Sequence, residues 1–346
     1  MSIGKPLGPV PTVRVVIPCR NEVKYIERCL VSLVNADRTG LAVEVWVCDG
    51  LSDDGTPAII DRISAVHPWI MRVDNTARTT PHAMNIGLRP PGYEVGIILG
   101  AHAEVDNAFL QENIRLLAHH PEVGCVGGVI ENVYDDDTSR RIGAAMGHPF
   151  GVGNAHFRTG AKDGEVDTVA FGAYRREVFD RIGFFDERLV RNQDDEFNYR
   201  VVRSGWKIRL SHKIRSRYYV RASFARLFRQ YRQYGYWKVY VNRIHGSITT
   251  VRQLIPAVFV AYLLIGGLAA VIWSPLAGLY LVGILLYLLV AKISAMRAAT
   301  RLSDVAGIVW AFLILHVSYG WGYLHGIWDL LVLRREPGTK SHTLTR

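Results

Sequence analysis

Val43-Glu44-Val45-Trp46-Val47-Cys48-Asp49 is an apolar run that ends on an acid and opens into Gly50-Leu51-Ser52-Asp53-Asp54-Gly55-Thr56. A buried strand of a parallel sheet reads this way, and open α/β sheets bind their ligands beyond the carboxyl ends of such strands. Asp49 therefore stands where a ligand would be read. Residues 13–17 form an earlier run of the same type. It ends in Pro18-Cys19-Arg20-Asn21-Glu22 and precedes an amphipathic stretch with Ile26, Leu30, Leu33 and Val34 on one face. Working outward, the patterning predicts further strands at 70–73 and 95–99 and helices over 23–34, 57–67, 81–88 and 107–119. Strands alternating with helices in this order predict a parallel α/β sheet with crossovers. Residues 124–132 and 166–171 read as additional strands and 175–182 as a short helix. The acids Asp135, Asp136 and Asp137 read as a solvated turn without chemistry. The Gly- and His-containing stretch 143–158 is not expected to be regular throughout, and its Gly151-Val152-Gly153 does not complete a dinucleotide fingerprint.

The 346 residues allow one large domain and a smaller one. Residues 254–273 carry no charge over twenty positions, which at roughly 1.5 Å per residue spans about 30 Å, the thickness of one bilayer core. Residues 275–291 and 305–324 are two more uncharged segments, so three membrane spans are expected within 253–333. The opening Met1-Ser2-Ile3-Gly4-Lys5-Pro6 lacks a basic and apolar leader, which places the N-terminal domain in the cytosol. Cys19, Cys29, Cys48 and Cys125 show no Cys-x-x-Cys spacing, so reduced and mostly buried thiols are expected rather than zinc or a redox pair.

The net charge of +10 is uneven, because residues 201–252 hold thirteen Lys and Arg and no acid. Aromatic residues interleave with them, including Tyr218, Tyr219, Tyr231, Tyr234 and Trp237. Nucleic acid is one partner for such a patch, but its position just before the first span favours anionic lipid of the inner leaflet, and no nucleic-acid fold is required. The expected organisation is a catalytic domain over 1–220, a basic amphipathic interfacial segment over 221–252, three spans, and a basic tail over 334–346. Arg243, Arg252, Lys292, Arg297 and Arg301 place the first domain and the second connection in the cytoplasm of a bacterial-type cell membrane. Three full crossings would leave Arg334, Arg335 and Lys340 outside, so either the tail is an exception or one segment is re-entrant, with Gly320, Gly322 and Gly326 marking the last as the suspect.

The two strand ends resemble the opening of an inverting family 2 glycosyltransferase, whose pattern is V-I-P-x-x-N-E, a helix, then V-x-D-D-G-S-x-D-x-T. Pro18, Asn21, Glu22, Asp49, Ser52, Asp54 and Thr56 stand in register, while Gly50 and Leu51 replace the second acid and the glycine. The resemblance implies a GT-A-like mixed α/β sheet with flanking helices. It implies that Asp49 holds the base of a UDP-sugar, that Asp54 orders the loop, and that Pro18, Asn21 and Glu22 line the nucleotide site. Asn85 in Ala83-Met84-Asn85-Ile86-Gly87 matches a family asparagine beside the nucleotide, or else caps structure. Residues 97–104, Ile97-Ile98-Leu99-Gly100-Ala101-His102-Ala103-Glu104, fall where the family places its metal-binding D-x-D. Gly100 replaces the first acid and His102 the last, which is similar to the D-A-H variant of the succinoglycan-type branch. Imidazole suits Mn²⁺ better than Mg²⁺. The resemblance therefore implies a divalent metal on His102, with Glu104 or Asp106 supplying a carboxylate and Ala101 beside the donor.

Gln193-Asp194-Asp195-Glu196 matches the family's E-D-x-D/E at the start of a helix, with Gln193 replacing a glutamate. Acids there also suit the macrodipole of any surface helix. Glycosyl transfer, however, needs a base within hydrogen-bond reach of the acceptor hydroxyl. By register that base is Asp194, with Asp195 next and Glu196 orienting the site. The leaving diphosphate needs positive charge, for which Arg78 and the cluster containing Gln230, Arg232 and Trp237 are candidates. That cluster only loosely resembles the Q-x-x-R-W helix of processive synthases, and an interfacial amphipathic helix accounts for it equally well. The expected function is inverting transfer from a UDP-sugar to a polyprenyl-diphosphate-linked saccharide in exopolysaccharide or cell-envelope synthesis. A processive polysaccharide synthase and a catalytically silent membrane scaffold are the alternatives.

Overall fold

A computed structural model describes residues 4–153, 155–220, 223–249 and 251–337. The chain divides into two compact units, one of Met1–Asn132 with His156–Tyr219 and one of Val133–Ala155 with Val220–Arg346. Residues 338–346, which hold most of the basic tail expected from the sequence and Lys340 within it, lie outside the described residues.

The first unit is built on nine strands: β1 (Thr12–Cys19), β2 (Ala42–Asp49), β3 (Ile70–Asp74), β4 (Val95–Ile98), β5 (Ala103–Val105), β6 (Val123–Val133), β7 (Gly164–Val166), β8 (Ala170–Arg175) and β9 (Lys207–Tyr219). They form one mixed sheet in the order β3-β2-β1-β4-β8-β6-β9-β5, with β7 on β9. β1 pairs in parallel with β2 and β4, and β2 with β3, whereas β8 runs antiparallel to β4 and β6. Helices α1 (Ile26–Val34), α2 (Thr56–Val66), α3 (Thr80–Leu88) and α4 (Phe109–His119) follow in the first half of the chain. The period-2 alternation explains the layering. Val13, Val15 and Ile17 of β1 join α1, α2 and α4 in one apolar cluster, while Val16 joins Met84 of α3, Phe179 and Phe197 in another. Helices therefore cover both faces of the parallel half, as the apolar strand runs require.

The second half of the chain departs from the sequence expectation in several places. Asp135, Asp136 and Asp137, expected as a solvated turn, instead lead into the helix α5 (Asp137–Met146), because Asp136 accepts a hydrogen bond from Ser139 N and Ser139 reaches back in a capping box. Two single-turn helices follow, α6 (Pro149–Val152) and α7 (His156–Thr159), then α8 (Arg176–Ile182) and α9 (Gln193–Arg203). The strand expected over 166–171 splits into β7 and β8. The first part of the basic run after 205 is the thirteen-residue strand β9, so Tyr218 and Tyr219 belong to the sheet.

In the second unit, α10 (Phe224–His245) occupies most of the segment expected to lie in the interface. Its C-terminal half is buried, with Trp237, Lys238, Tyr240 and Val241 almost fully covered. Among the described residues, three helices are long and apolar enough to cross a membrane: Val251–Ile272, Ser274–Ala298 and Leu302–Val332. The first two expose many large apolar side chains, such as Val271, Ile272 and Leu279, as lipid-facing helices do. The third is the inner one. A Cβ at Gly322 would lie 1.9 Å from the Arg232 carbonyl oxygen of α10, and one at Gly320 would lie 2.1 Å from the carbonyl oxygen of Pro256, so both glycines serve close helix approach. His316 in this helix has both ring nitrogens engaged, one by the Tyr287 hydroxyl and one by the Phe150 carbonyl, each at 2.8 Å.

The segment 133–155, expected within the catalytic domain, packs with these helices. Its anchor is Asp304, which is 1% exposed and accepts hydrogen bonds from Arg140 at 2.8 and 3.0 Å and from Arg141 at 2.9 Å. Removing one partner of such a buried network typically costs about 3–5 kcal/mol. Asp304→Ala should therefore release α5 from the third apolar helix, seen as new protease cleavage within 133–155. Unchanged cleavage would show that apolar packing alone holds the segment.

Candidate active site

The parallel register sets Cys19 at the end of β1 beside Asp49 at the end of β2, so Pro18, Asn21, Glu22 and Asp49 leave the sheet together. Asp49 is 1% exposed, and its carboxylate accepts from Ser52 N at 3.0 Å and Ser52 Oγ at 2.5 Å. The loop is then clasped onto β1's exit. Asn21 N–H donates to Ser52 Oγ (2.8 Å), Asn21 Nδ2 to Asp53 Oδ1 (2.9 Å), and Asp53 N–H to Asn21 Oδ1 (3.1 Å). Asp54 accepts from Thr56 Oγ1 (2.5 Å), Thr56 N (3.1 Å) and Val23 N (3.2 Å), while Thr56 Oγ1 accepts from Glu22 N (2.9 Å). Burial pushes the Asp54 carboxyl up, but the hydrogen bonds from Thr56 and Val23 outweigh it and leave it below its ordinary value. The Asp54 contacts therefore add stability that is present above the ordinary carboxylate pKa and is lost as pH falls through the lowered one.

A Cβ on Gly50 would meet the Arg20 side chain at 3.1 Å, while Leu51 keeps φ 56°, the left-handed conformation that favours the family's glycine and is strained for leucine. Asn75 N–H donates to the Asp49 carbonyl (2.7 Å) and Arg78 N–H to the Asn75 carbonyl (3.0 Å), so the Arg78 loop hangs from the same strand end with its side chain exposed. Asn85 is different. It is fully buried, its Nδ2 donates to the Phe185 carbonyl (2.8 Å) and Glu187 Oε1 (2.9 Å), and its Oδ1 accepts from Phe185 N (3.0 Å). Asn85 thus ties α3 to the loop after α8.

At the end of β4, a Cβ on Gly100 would meet Phe171 at 3.1 Å, which accounts for a glycine where the metal motif has an acid. Ala101 is buried. His102 Nδ1 is buried without a hydrogen-bond partner among the described residues and lies 3.7 Å from Glu22 Oε1, with Tyr25 and Tyr218 packed edge-on at 6.4 and 4.9 Å. Glu104 does not join it as the sequence suggested. The antiparallel β5–β9 pairing brings Tyr219 within reach, and its hydroxyl donates to Glu104 Oε1 at 2.5 Å. Among the described residues no three His, Cys, Asp or Glu side chains converge as a metal site. An unpaired imidazole nitrogen facing a carboxylate is nonetheless a donor pair that Mn²⁺ accepts, and phosphate oxygens or water complete such sites.

Helix α9 begins at Asn192, whose φ of 60° turns the chain into its first residue. The acids that follow take different surroundings because successive helix positions rotate by about 100°. Asp194 is exposed and accepts the Asp195 backbone N–H (2.9 Å); Asp195 is half-buried. Glu196 is 3% exposed and holds Arg200 through two bonds of 2.7 and 2.9 Å, while Arg200 also donates to the carbonyls of Ile182 and Phe184. Gln193 Oε1 is buried with no partner among the described residues. Helix α9 therefore offers exposed carboxylate at its N-terminus and spends Glu196 on its own placement.

In the second unit, Gln230 Nε2 donates to the Tyr234 hydroxyl (2.8 Å) and Arg232 is exposed. Trp237 is fully buried, edge-on to Tyr236 and Tyr240. Its ring is enclosed by neighbours.

Residues 14–183 match the model of glycosyl transferase family 2. The chain is 29% identical over 231 residues to a dolichyl N-acetyl-alpha-D-glucosaminyl phosphate 3-beta-D-2,3-diacetamido-2,3-dideoxy-beta-D-glucuronosyltransferase of Methanococcus voltae, covering 64% of this chain and 71% of that protein. It is also 29% identical over 262 residues to the succinoglycan biosynthesis protein ExoA of Rhizobium meliloti (strain 1021), covering 75% and 78%. Among solved structures, its fold is similar to that of the mannosyltransferase PcManGT of Pyrobaculum calidifontis, in complex with GDP-Man and Mn²⁺, with TM-score 0.59, 20% identity, and 91% and 90% of the two chains covered. The mixed sheet, GT-A-like in its topology and carrying the braced acid at the end of β2, is thus a glycosyl transferase family 2 domain over residues 14–183, in a chain whose described residues also include three helices able to cross a membrane.

Proposed function

We propose that the protein transfers a sugar, with inversion, from a nucleoside diphosphate sugar to a lipid-linked saccharide at the cytoplasmic face of a membrane. The observation that carries the reading is that one unit holds both Asp49, fixed at a strand end by Ser52, and exposed carboxylate at the start of α9. The motif resemblance favours UDP as the nucleotide. The saccharide and dolichyl-phosphate chemistry in the two relatives' names supports a polyprenyl-linked acceptor, and the three apolar helices support its delivery from the bilayer. The basic helix α10 and anionic lipid would hold the protein at the inner leaflet.

In this reading Asp49 accepts hydrogen bonds from the base, and the loop clasped by Asn21 and Asp54 fixes that contact. The acceptor oxygen attacks the anomeric carbon as the bond to the diphosphate oxygen breaks; Asp194 takes the acceptor's proton, and the pair of electrons leaves with the nucleoside diphosphate. His102 and Glu22 would hold a divalent ion, which supplies charge stabilisation to the leaving diphosphate. His102→Ala should raise the Mn²⁺ concentration needed for half-maximal nucleotide binding by about tenfold or more, as loss of a first ligand weakens such sites. A titration by Mn²⁺ electron paramagnetic resonance checks this. Equal Mn²⁺ affinity in the variant would remove His102 from the metal site.

The reading is tested with membranes holding the protein and a panel of radiolabelled UDP- and GDP-sugars. Label should enter the organic-extractable lipid fraction as a single added sugar. Label in long polymer would make the protein a processive synthase, and no incorporation from any donor would contradict the reading.

A further inference from the structure

Helix α7 turns two unmade hydrogen bonds inward. His156 Nδ1 and Arg158 Nη1 are both buried and have no hydrogen-bond partner among the described residues. A guanidinium N–H left unpaired inside a protein is costly, and such a group calls for an acceptor supplied from elsewhere. Its surroundings on the protein side are aromatic. The Arg158 guanidinium lies 5.3 Å from the ring of Phe157 and 5.6 Å from that of Tyr218. His102 packs against the same Tyr218 ring at 4.9 Å, because Tyr218 stands opposite Ala103 in the β5–β9 ladder. One ring of β9 thus carries both the imidazole that faces Glu22 and a cation with an unused donor.

The geometry points to Arg158 as a binding residue for a phosphate group at the His102 end of the site. The inference rests on the function proposed above and adds a ligand to it. Arginine suits this role because its planar fork matches two phosphate oxygens, and stacking on Tyr218 and Phe157 pre-orders it without using its hydrogen-bond donors. The phosphate belongs either to the donor's diphosphate or to the lipid-linked acceptor.

Full-length protein in detergent is titrated calorimetrically with UDP and with GDP, each with Mn²⁺, and separately with a polyprenyl diphosphate in micelles. Wild type is compared with Arg158→Gln and Arg158→Lys. Loss of a charge-assisted hydrogen bond predicts binding weakened about 10- to 100-fold by glutamine, partly restored by lysine, which keeps the charge without the fork. Loss in the nucleotide titrations assigns the donor diphosphate; loss in the lipid titration assigns the acceptor. Unchanged affinity for every ligand in both variants would overturn the role of Arg158 and leave the glycosyltransferase reading intact. Failure of wild type to bind any of them would overturn both. Should the variants not fold, phenylglyoxal footprinting of wild type answers the same question: protection of Arg158 by UDP, GDP or polyprenyl diphosphate supports the assignment, and equal labelling with and without them contradicts it.

Discussion

Asp194→Asn leaves a protein that folds and binds nucleoside diphosphate but transfers sugar about 10²- to 10⁴-fold more slowly, the usual cost of removing a general base. The amide occupies the same volume and can still accept the Asp195 backbone N–H that Asp194 now receives at 2.9 Å, so the start of α9 is preserved. It cannot take up the acceptor's proton. Comparing turnover with calorimetric nucleotide affinity separates the two effects. Near-normal turnover would move the role to Asp195, the half-buried neighbour on the same turn.

Glu196→Ala has a different signature, because this acid acts on the fold. Arg200 would keep its bonds to the Ile182 and Phe184 carbonyls and its stacking on Phe197 but lose both carboxylate contacts in a site where Glu196 is 3% exposed. Losing hydrogen bonds to a charged group in a partly buried site costs about 1.5–3 kcal/mol. The variant should unfold at markedly lower denaturant concentration, with activity falling alongside stability, and Glu196→Gln should sit between the two because it can still accept one hydrogen bond. Unchanged stability with lost activity would place Glu196 in the chemistry instead.

The sequence made the parallel half of the sheet legible because β1, β2, β3 and β4 are short apolar runs between amphipathic helices, and their expected ranges fall within a residue or two of those observed. The motif carried the acids at the two strand ends and at α9 for the same reason: they stand at fixed offsets from those elements. Legibility failed where tertiary packing overrides local pattern. Basic residues on the outward positions of β9 hid a strand whose inward Ile208, Leu210 and Ile214 fill the core. Asp135–Asp136–Asp137 looked like a turn, yet Asp136 is a helix cap and Arg140 and Arg141 are bound by Asp304, 164 and 163 residues away. The approach of Glu22 to His102 at 3.7 Å was not legible, because the two are eighty residues apart in the chain and only the sheet brings them together. Trp237 and Asn85 matched patterns but are enclosed, and burial is a property of the whole fold.

The most direct measurement is nucleoside diphosphate release by the purified full-length protein in lipid nanodiscs, supplied with Mn²⁺ and each of a panel of UDP- and GDP-sugars, with and without polyprenyl-linked saccharide extracted from membranes. The account predicts release with a single donor class, stimulated by the lipid extract and abolished by Asp194→Asn. Release that is indifferent to the lipid extract and to Asp194, or no release with any donor while the protein remains folded, would contradict it.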